Sequence, residues 1–298
     1  FFDFPSYQQA DMVIKSALKL VSDAHAPAVF SLSTFESGTR AEESTFRAHE
    51  ASRDKATNPF IHLYENNLIP GENWQDYDVV GISIIGISQI IPGLTLARQL
   101  KEKFPHLHIT LGGPIFSVNA GQLIGHPEFF DDFCHSVVTF EGEEPLHRLL
   151  TALKAGDALS TVPNLIHLEG REVVHNKERV ELRFEEIPGP TFDGLPMHSY
   201  LSPYPIIPVL QSRGCYWGKC TFCTHSFVYG HRYGKQKTQG MVDELEALMK
   251  KYNTKYFTFS DEAVSPHSLN DVSELMIERG VEIRSLALLK FEKVMDEK

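Results

Sequence analysis

Residues Val79–Gly86 read "VVGISIIG", an unbroken apolar run rich in β-branched side chains. A strand covered by helices on both faces has this composition, because neither face meets water. Downstream, "GLTLARQLKEKF" (93–104) carries Leu94, Leu96, Ala97, Leu100 and Phe104 as a helical stripe. "LHITLGGP" (107–114) is then a second strand ending in glycines, and a helix candidate over Ala120–Ile124 leads to a third strand, "SVVTFEGEE" (Ser136–Glu144). "PLHRLLTALKAG" (145–156) enters a helix through Pro145 and leaves it at Gly156. Strands alternating with helices at this spacing predict an α/β domain with a Rossmann-like parallel sheet. Ligands of such sheets bind outside the carboxyl ends of the strands, where glycines permit close backbone approach. That rule nominates Ser83 and Ile84 after the first strand, Gly112 and Gly113 after the second, and Glu141, Gly142 and Glu143 after the third.

Beyond this domain, Thr161–Asn176 reads as a small hairpin turning at Glu169-Gly170. "IPGPTFDGLPMHSYLSPYP" (187–205) carries five prolines and reads as an extended linker. The alternation then resumes with strand Ile206–Gln211, a cysteine-bearing loop, helix Gly240–Lys251, strand Tyr256–Ser260, helix Leu269–Arg279 and a strand in "EIRSLAL" (282–288). This is the first part of a (β/α) barrel or partial barrel, whose site lies at the carboxyl ends of its strands. The first 76 residues mix an amphipathic helix around Ala10–Ser22 with a polar, charge-rich stretch from Glu36 to Asn58. The expected domains are 1–180, a linker over 181–205, and a truncated barrel over 206–298. Phe1 in place of Met, and an end at "FEKVMDEK" that reads as the start of a helix, point to a piece of a longer polypeptide.

The chain has 298 residues, 42% hydrophobic and 22% charged, which fits about two globular domains. Its net charge of -11, from 39 acidic and 28 basic residues, comes without a Lys/Arg stripe and argues against a nucleic-acid partner. The longest apolar runs, "VVGISIIGISQIIPGL" and "YPIIPVL", are short and interrupted, so neither a membrane span nor a signal peptide is expected.

Three of the four cysteines, Cys215, Cys220 and Cys223, lie within nine residues of "SRGCYWGKCTFC" (Ser212–Cys223). Loops this short suit disulfides poorly, and the reducing cytoplasm is the expected compartment. As a metal loop it admits zinc on the three thiolates with His225, a four-cysteine cluster recruiting Cys134, or a 4Fe–4S cluster held by three cysteines with one iron left open. Unconnected buried thiols fit poorly in a loop that also holds Gly218, Lys219 and Arg213.

The loop resembles the cluster loop of radical S-adenosylmethionine (SAM) enzymes, including the aromatic Phe222 before the last cysteine. "VVGISIIG", "HITLGGP", "TFEGEEPLHRLL" and the connector "LRFEEIPGPTFDGLP" are similar, in order, to the cobalamin (B12)-binding subgroup of that family, with the likeness running over roughly 78–298. Two departures stand out: four residues rather than three separate Cys215 from Cys220, with Gly218 able to take up the extra one, and no Asp-x-His-x-x-Gly cobalt-binding segment occurs. The resemblance implies that Cys215, Cys220 and Cys223 ligate a 4Fe–4S cluster whose open iron chelates SAM, and that reductive cleavage yields a 5'-deoxyadenosyl radical. It places Phe222 beside the adenine and Asp261 or Glu262, in "FSDEAV", at the methionyl ammonium, with Glu262 preferred. Arg232, in "YGHRYG", could reach a carboxylate. It further implies cobalamin over the first domain, methyl transfer to an unactivated carbon of a small-molecule or peptide substrate, and an electron donor such as flavodoxin or ferredoxin. Two other functions stay open: rearrangement, oxidation or cyclisation without methyl transfer, and a zinc-stabilised nucleotide-binding regulatory module.

Overall fold

The computed structural model describes residues 2–180, 182–230 and 232–292. The chain divides into two compact units, Phe4–Glu181 and Leu182–Lys298 with Phe1–Asp3.

The first unit runs α1 (Phe4–Ala24), β1 (Val29–Phe30), β2 (Phe35–Glu36), α2 (Thr45–Ala51), α3 (Phe60–Leu63), β3 (Val79–Ser83), α4 (Ile90–Lys103), β4 (His108–Gly112), α5 (Pro114–Leu123), α6 (Pro127–Phe133), β5 (Ser136–Val138), α7 (Glu143–Ala155), β6 (Leu165–Glu169) and β7 (Glu172–His175). Its five-stranded sheet has the order β3-β4-β5-β6-β7. The first three strands are parallel, in the register Gly81↔Thr110↔Ser136. The hairpin expected at Glu169-Gly170 is present, with Gly170 at φ 65, and it does more than decorate the domain. Its first strand, β6, pairs antiparallel with β5, so the hairpin extends the sheet.

Sequence chemistry accounts for the helix that closes this unit. α7 starts with Glu143 and Glu144, whose charges favour the helix amino terminus, and stops at Gly156 in the left-handed region (φ 73). On the other side of the sheet the core is aromatic and aliphatic: Phe129, Phe130 and Phe133 of α6 meet Leu94, Ala97 and Leu100 of α4 and Ile109 and Leu111 of β4. At roughly 1.5–3 kcal/mol per fully buried large apolar side chain, this cluster fixes the placement of β3 and β4 more firmly than any single hydrogen bond. α1 is longer than the expected Ala10–Ser22 and has no buried residue.

The second unit runs β8 (Ile206–Val209), β9 (Ser212–Arg213), α8 (His225–Val228), β10 (Gly234–Lys235), α9 (Thr238–Tyr252), β11 (Tyr256–Phe259), α10 (Pro266–Arg279) and β12 (Arg284–Leu286). β12, β11 and β8 form a parallel three-stranded sheet in that order. Alternation along the strands sends Ile207, Val209, Phe257 and Phe259 into a core with Met241, Val242 and Leu245 of α9 and Val272 of α10. Among the described residues β8 is an edge strand, and Pro208 within it has no backbone N–H to offer. The expected barrel is represented among the described residues by this open three-stranded parallel sheet alone. Of the stretch 291–298 read as the start of a helix, residues 291 and 292 are not helical and 293–298 lie outside the described residues. Among the described residues no helix is long and apolar enough to cross a membrane.

Candidate functional site

Each unit carries a candidate site at the carboxyl ends of its parallel strands. In the first, a cavity of about 460 Å³ opens there, lined by Gly81 and Ser83 of β3, Thr110 and Gly112 of β4, Val138 of β5, and Phe140. Gly113, Gly142, Glu143 and Leu146 also reach it. Of the residues nominated by sequence, Ser83, Gly112, Gly113, Gly142 and Glu143 therefore line one cavity. Ile84 and Glu141 do not line it. The Ile84 side chain is buried in the core, and its N–H donates to Gly112 O at 2.8 Å, extending the ladder by one residue. Glu141 is half-buried, and its carbonyl accepts from Asn164 Nδ2 at 3.4 Å.

Two glycine positions make the cavity possible. Gly113 has φ 110, and a Cβ there would lie 2.2 Å from Ile84 O. At Gly142 the nearest atom to an added Cβ is Val138 Cγ1 at 3.9 Å, so bare backbone faces the cavity.

Sequence reading passed over Thr110 and Phe140. Phe140 takes φ 61, its N–H donates to Ser117 Oγ at 2.7 Å, and the Arg179 guanidinium lies 3.8 Å from the ring centroid. Thr110 ends a buried polar chain: His108 Nε2 is 2.9 Å from Ser136 Oγ, which donates to Thr110 Oγ1 at 3.0 Å. With His108 donating to Ser136, the Thr110 hydroxyl keeps its own proton for an acceptor in the cavity. Burial first, then the neighbouring His135, His167 and Lys101, push the His108 imidazole down to about 4. Burial likewise lowers His135 to about 4, and its Nδ1 accepts the Ile109 N–H at 2.9 Å. Both rings are neutral near pH 7. The signal for this chain was present in the sequence as polar residues at alternate positions of an apolar strand, His108 and Thr110.

In the second unit the cysteine loop leaves β8 and is closed at its base by β9 and β10, which pair Arg213 with Gly234 and Ser212 with Lys235. Gly214 turns the chain at φ 81, with the Arg232 carbonyl oxygen 2.1 Å from where a Cβ would sit. All three loop cysteines are free thiols, Cys215 half-buried and Cys220 and Cys223 exposed. Cys223 N–H donates to Cys220 O at 3.2 Å, closing a turn between the last two. Gly218, in the longer spacing, takes φ 59. Among the described residues no three His, Cys, Asp or Glu side chains stand together as a ready metal site, so the thiols are close in sequence without being gathered in space. As a donor set, three free thiols on one loop suit an iron–sulfur group, for which soft thiolate ligands are preferred. Cys134 belongs to the first unit, fully buried, and its thiol is pushed well above the ordinary range by that burial.

Phe222 is 88% exposed, and Arg232 is exposed, its N–H bonded to Tyr229 O at 3.0 Å. The two carboxylates after β11 part company. Asp261 is buried, taking the Gln211 N–H on Oδ2 at 3.0 Å and the Ser212 hydroxyl on Oδ1 at 2.5 Å. Glu262 is exposed and lies 3.1 Å from His225 Nε2, without hydrogen-bond alignment. Burial lowers the His225 pKa, and Glu262 partly opposes this. The indole of Trp217 sits under Lys290 Nζ at 3.5 Å, and Tyr216 OH donates to Glu292 at 2.8 Å, so the loop leans on the segment after β12.

No family model matches the chain. An uncharacterized methyltransferase of Pyrococcus horikoshii is 28% identical over 212 residues, covering 70% of this chain and 45% of that protein. The anaerobic magnesium-protoporphyrin IX monomethyl ester cyclase of Rubrivivax gelatinosus is 21% identical over 260 residues, covering 79% of this chain and 45% of the cyclase. The chain thus spans less than half the length of these curated relatives. Among solved structures, the radical SAM methyltransferase TsrM from Kitasatospora setae, with cobalamin and a 4Fe–4S cluster bound, superposes with a TM-score of 0.55 at 18% identity, covering 78% of this chain and 49% of TsrM. The cobalamin-dependent radical enzyme OxsB, with aqua-cobalamin and SAM bound, superposes at 0.58 and 22% identity over 76% of this chain and 31% of OxsB. Both likenesses concern the fold. The chain is thus similar in fold to cobalamin-dependent radical SAM enzymes, and in sequence to a methyltransferase and a cyclase.

Proposed function

We propose that the chain is the cofactor-binding part of a cobalamin-dependent radical SAM enzyme, a methyltransferase acting on an unactivated carbon. The observation that carries this reading is the trio of free thiols, Cys215, Cys220 and Cys223, on one loop at the carboxyl end of the first strand of the second sheet. When bound, the cluster supplies the electron that opens the carbon–sulfur bond of SAM, and the corrinoid carries the methyl group. The protein's part is to hold and orient. Glu262 offers an exposed carboxylate to the methionyl ammonium, Arg232 a guanidinium to a carboxylate, and Phe222 an exposed ring to the adenine. Over the first sheet, Gly112, Gly113 and Gly142 present backbone to the corrinoid, Val138, Phe140 and Leu146 exclude water, and Thr110 donates its hydroxyl proton. An electron donor of the flavodoxin or ferredoxin kind and a small-molecule or peptide substrate complete the proposal.

The test is anaerobic turnover of the reconstituted full-length protein with SAM, reductant and hydroxocobalamin. Formation of both 5'-deoxyadenosine and S-adenosylhomocysteine supports radical methylation, whereas absence of 5'-deoxyadenosine rejects radical chemistry. The similarity to a cyclase favours a second reading, radical ring closure without methyl transfer, for which 5'-deoxyadenosine forms alone.

A further inference from the structure

Two adjacent carboxylates end β11, and the structure gives them opposite surroundings. Asp261 is 2% exposed, with one oxygen on the Gln211 amide and the other on the Ser212 hydroxyl. Those two residues are the stem from which the cysteine loop departs, and Cys215 follows Ser212 by three residues. The same stem is tied at two further points. Gln236 N–H donates to Gln211 O at 2.8 Å, and Gln211 Nε2 reaches Ser268 O in the first turn of α10 at 3.3 Å. A buried carboxylate is tolerated only where its oxygens find donors, and here both donors come from the stem. Occupied in this way, Asp261 has little capacity left for a ligand ammonium, whereas Glu262 beside it is exposed and meets the loop's far limb through His225.

We infer that Asp261 is a positioning residue for the iron–sulfur loop: it clamps the Gln211–Ser212 stem to the end of β11 and so fixes the direction in which Cys215 leaves the sheet. The inference rests on the reading of the three cysteines as cluster ligands. It divides the labour of the "DE" pair, with Asp261 acting on the protein and Glu262 on the cofactor.

The experiment compares wild type, Asp261→Asn and Asp261→Ala of the full-length protein with a control, Val272→Ala, which trims a buried core residue of the same unit that is not part of the Gln211–Ser212 stem. Two quantities are read: amide exchange at Gln211 in the iron-free protein, and iron and sulfide retained after anaerobic reconstitution at limiting iron. Loss of a hydrogen bond to a charged group predicts roughly tenfold faster exchange at Gln211 and roughly tenfold lower cluster retention in the Asp261 variants. Val272→Ala, matched for loss of thermal stability, retains both, which separates positioning from general destabilisation. If the Asp261 variants match wild type in exchange and in cluster retention, the role is overturned. Should Asp261→Ala fail to fold, the isosteric Asp261→Asn decides. A wild-type protein that takes up no cluster removes the functional reading and this role together, whereas a cluster-bearing Asp261→Asn with a protected Gln211 amide removes this role alone.

Discussion

Gly113 packs so tightly on Ile84 that a methyl group on its α-carbon would fall 2.2 Å from the Ile84 carbonyl oxygen. That oxygen belongs to the residue extending β3, so any side chain at 113 must push the ends of β3 and β4 apart. Gly113→Ala carries in addition the cost of φ 110, of order 1–3 kcal/mol. The variant is expected to bind hydroxocobalamin at least about tenfold more weakly in a spectral titration, a loss of about 1.4 kcal/mol. Gly121→Ala, on an exposed turn of α5 where an added Cβ meets nothing within 4 Å, is the matched control and should bind normally. Equal affinities in the two variants would rule out the cavity as the corrinoid site.

Gly214 plays the corresponding part in the second unit, with φ 81 and the Arg232 carbonyl 2.1 Å from a Cβ. Gly214→Ala should lower iron and sulfide content severalfold while leaving corrinoid affinity unchanged, because the disturbed loop and the cavity belong to different units. Elemental analysis beside the same spectral titration checks the split. Iron content equal to wild type would show that the loop does not need this turn.

Removing the charge at position 262 separates cofactor binding from cluster binding. Glu262→Gln keeps the size and the polarity of the side chain and is expected to retain iron. A charge-assisted hydrogen bond is worth roughly 1.5–3 kcal/mol, so SAM affinity should fall about tenfold or more. The readout is the change that SAM induces in the paramagnetic resonance spectrum of the reduced cluster, titrated against SAM concentration. An unshifted titration curve would assign the ammonium to another residue.

Acid should weaken the first unit through two half-buried histidines. His108 and His135 both drop from an ordinary value of 6.5 to about 4 in the folded chain, chiefly because burial disfavours the charged ring. Between these values the unfolded chain binds more protons, so stability is whole above about pH 6.5 and falls until about pH 4. The slope is at most about 1.4 kcal/mol per pH unit for each ring. Urea midpoints at pH 7 and pH 4.5 should therefore differ, and by less in a His108→Gln, His135→Asn double variant. If the double variant loses as much as wild type, other groups carry the acid sensitivity.

The strands β3, β4 and β5 were legible as short runs rich in apolar and β-branched residues that alternate with helical stripes, and β8, β11 and β12 because they alternate with amphipathic helices. What escaped is what non-local pairing decides. Nothing in "TVPNLIHLEGREVVHN" announces that its first strand will pair antiparallel with Ser136–Val138 and widen a parallel sheet. At the sites, glycines after strands pointed to the right region, since bare backbone is what a close ligand needs. Ile84 was nominated by position, yet it continues the ladder and turns its side chain into the core. Phe140 went unnoticed because its left-handed conformation is imposed by neighbours such as Ser117, not by residue type. Asp261 and Glu262 are chemically alike in sequence, and only the fold, by burying one and exposing the other, tells them apart.

Pro208 lies on β8, the outer strand of the second sheet among the described residues, and interrupts that margin's supply of amide donors. A stray extended segment trying to zip onto this border would meet a missing rung, so templated fibril growth from it is discouraged. Replacing Pro208 with valine would restore the rung, and colloidal instability, rather than any change in cofactor affinity, is the cost expected to follow.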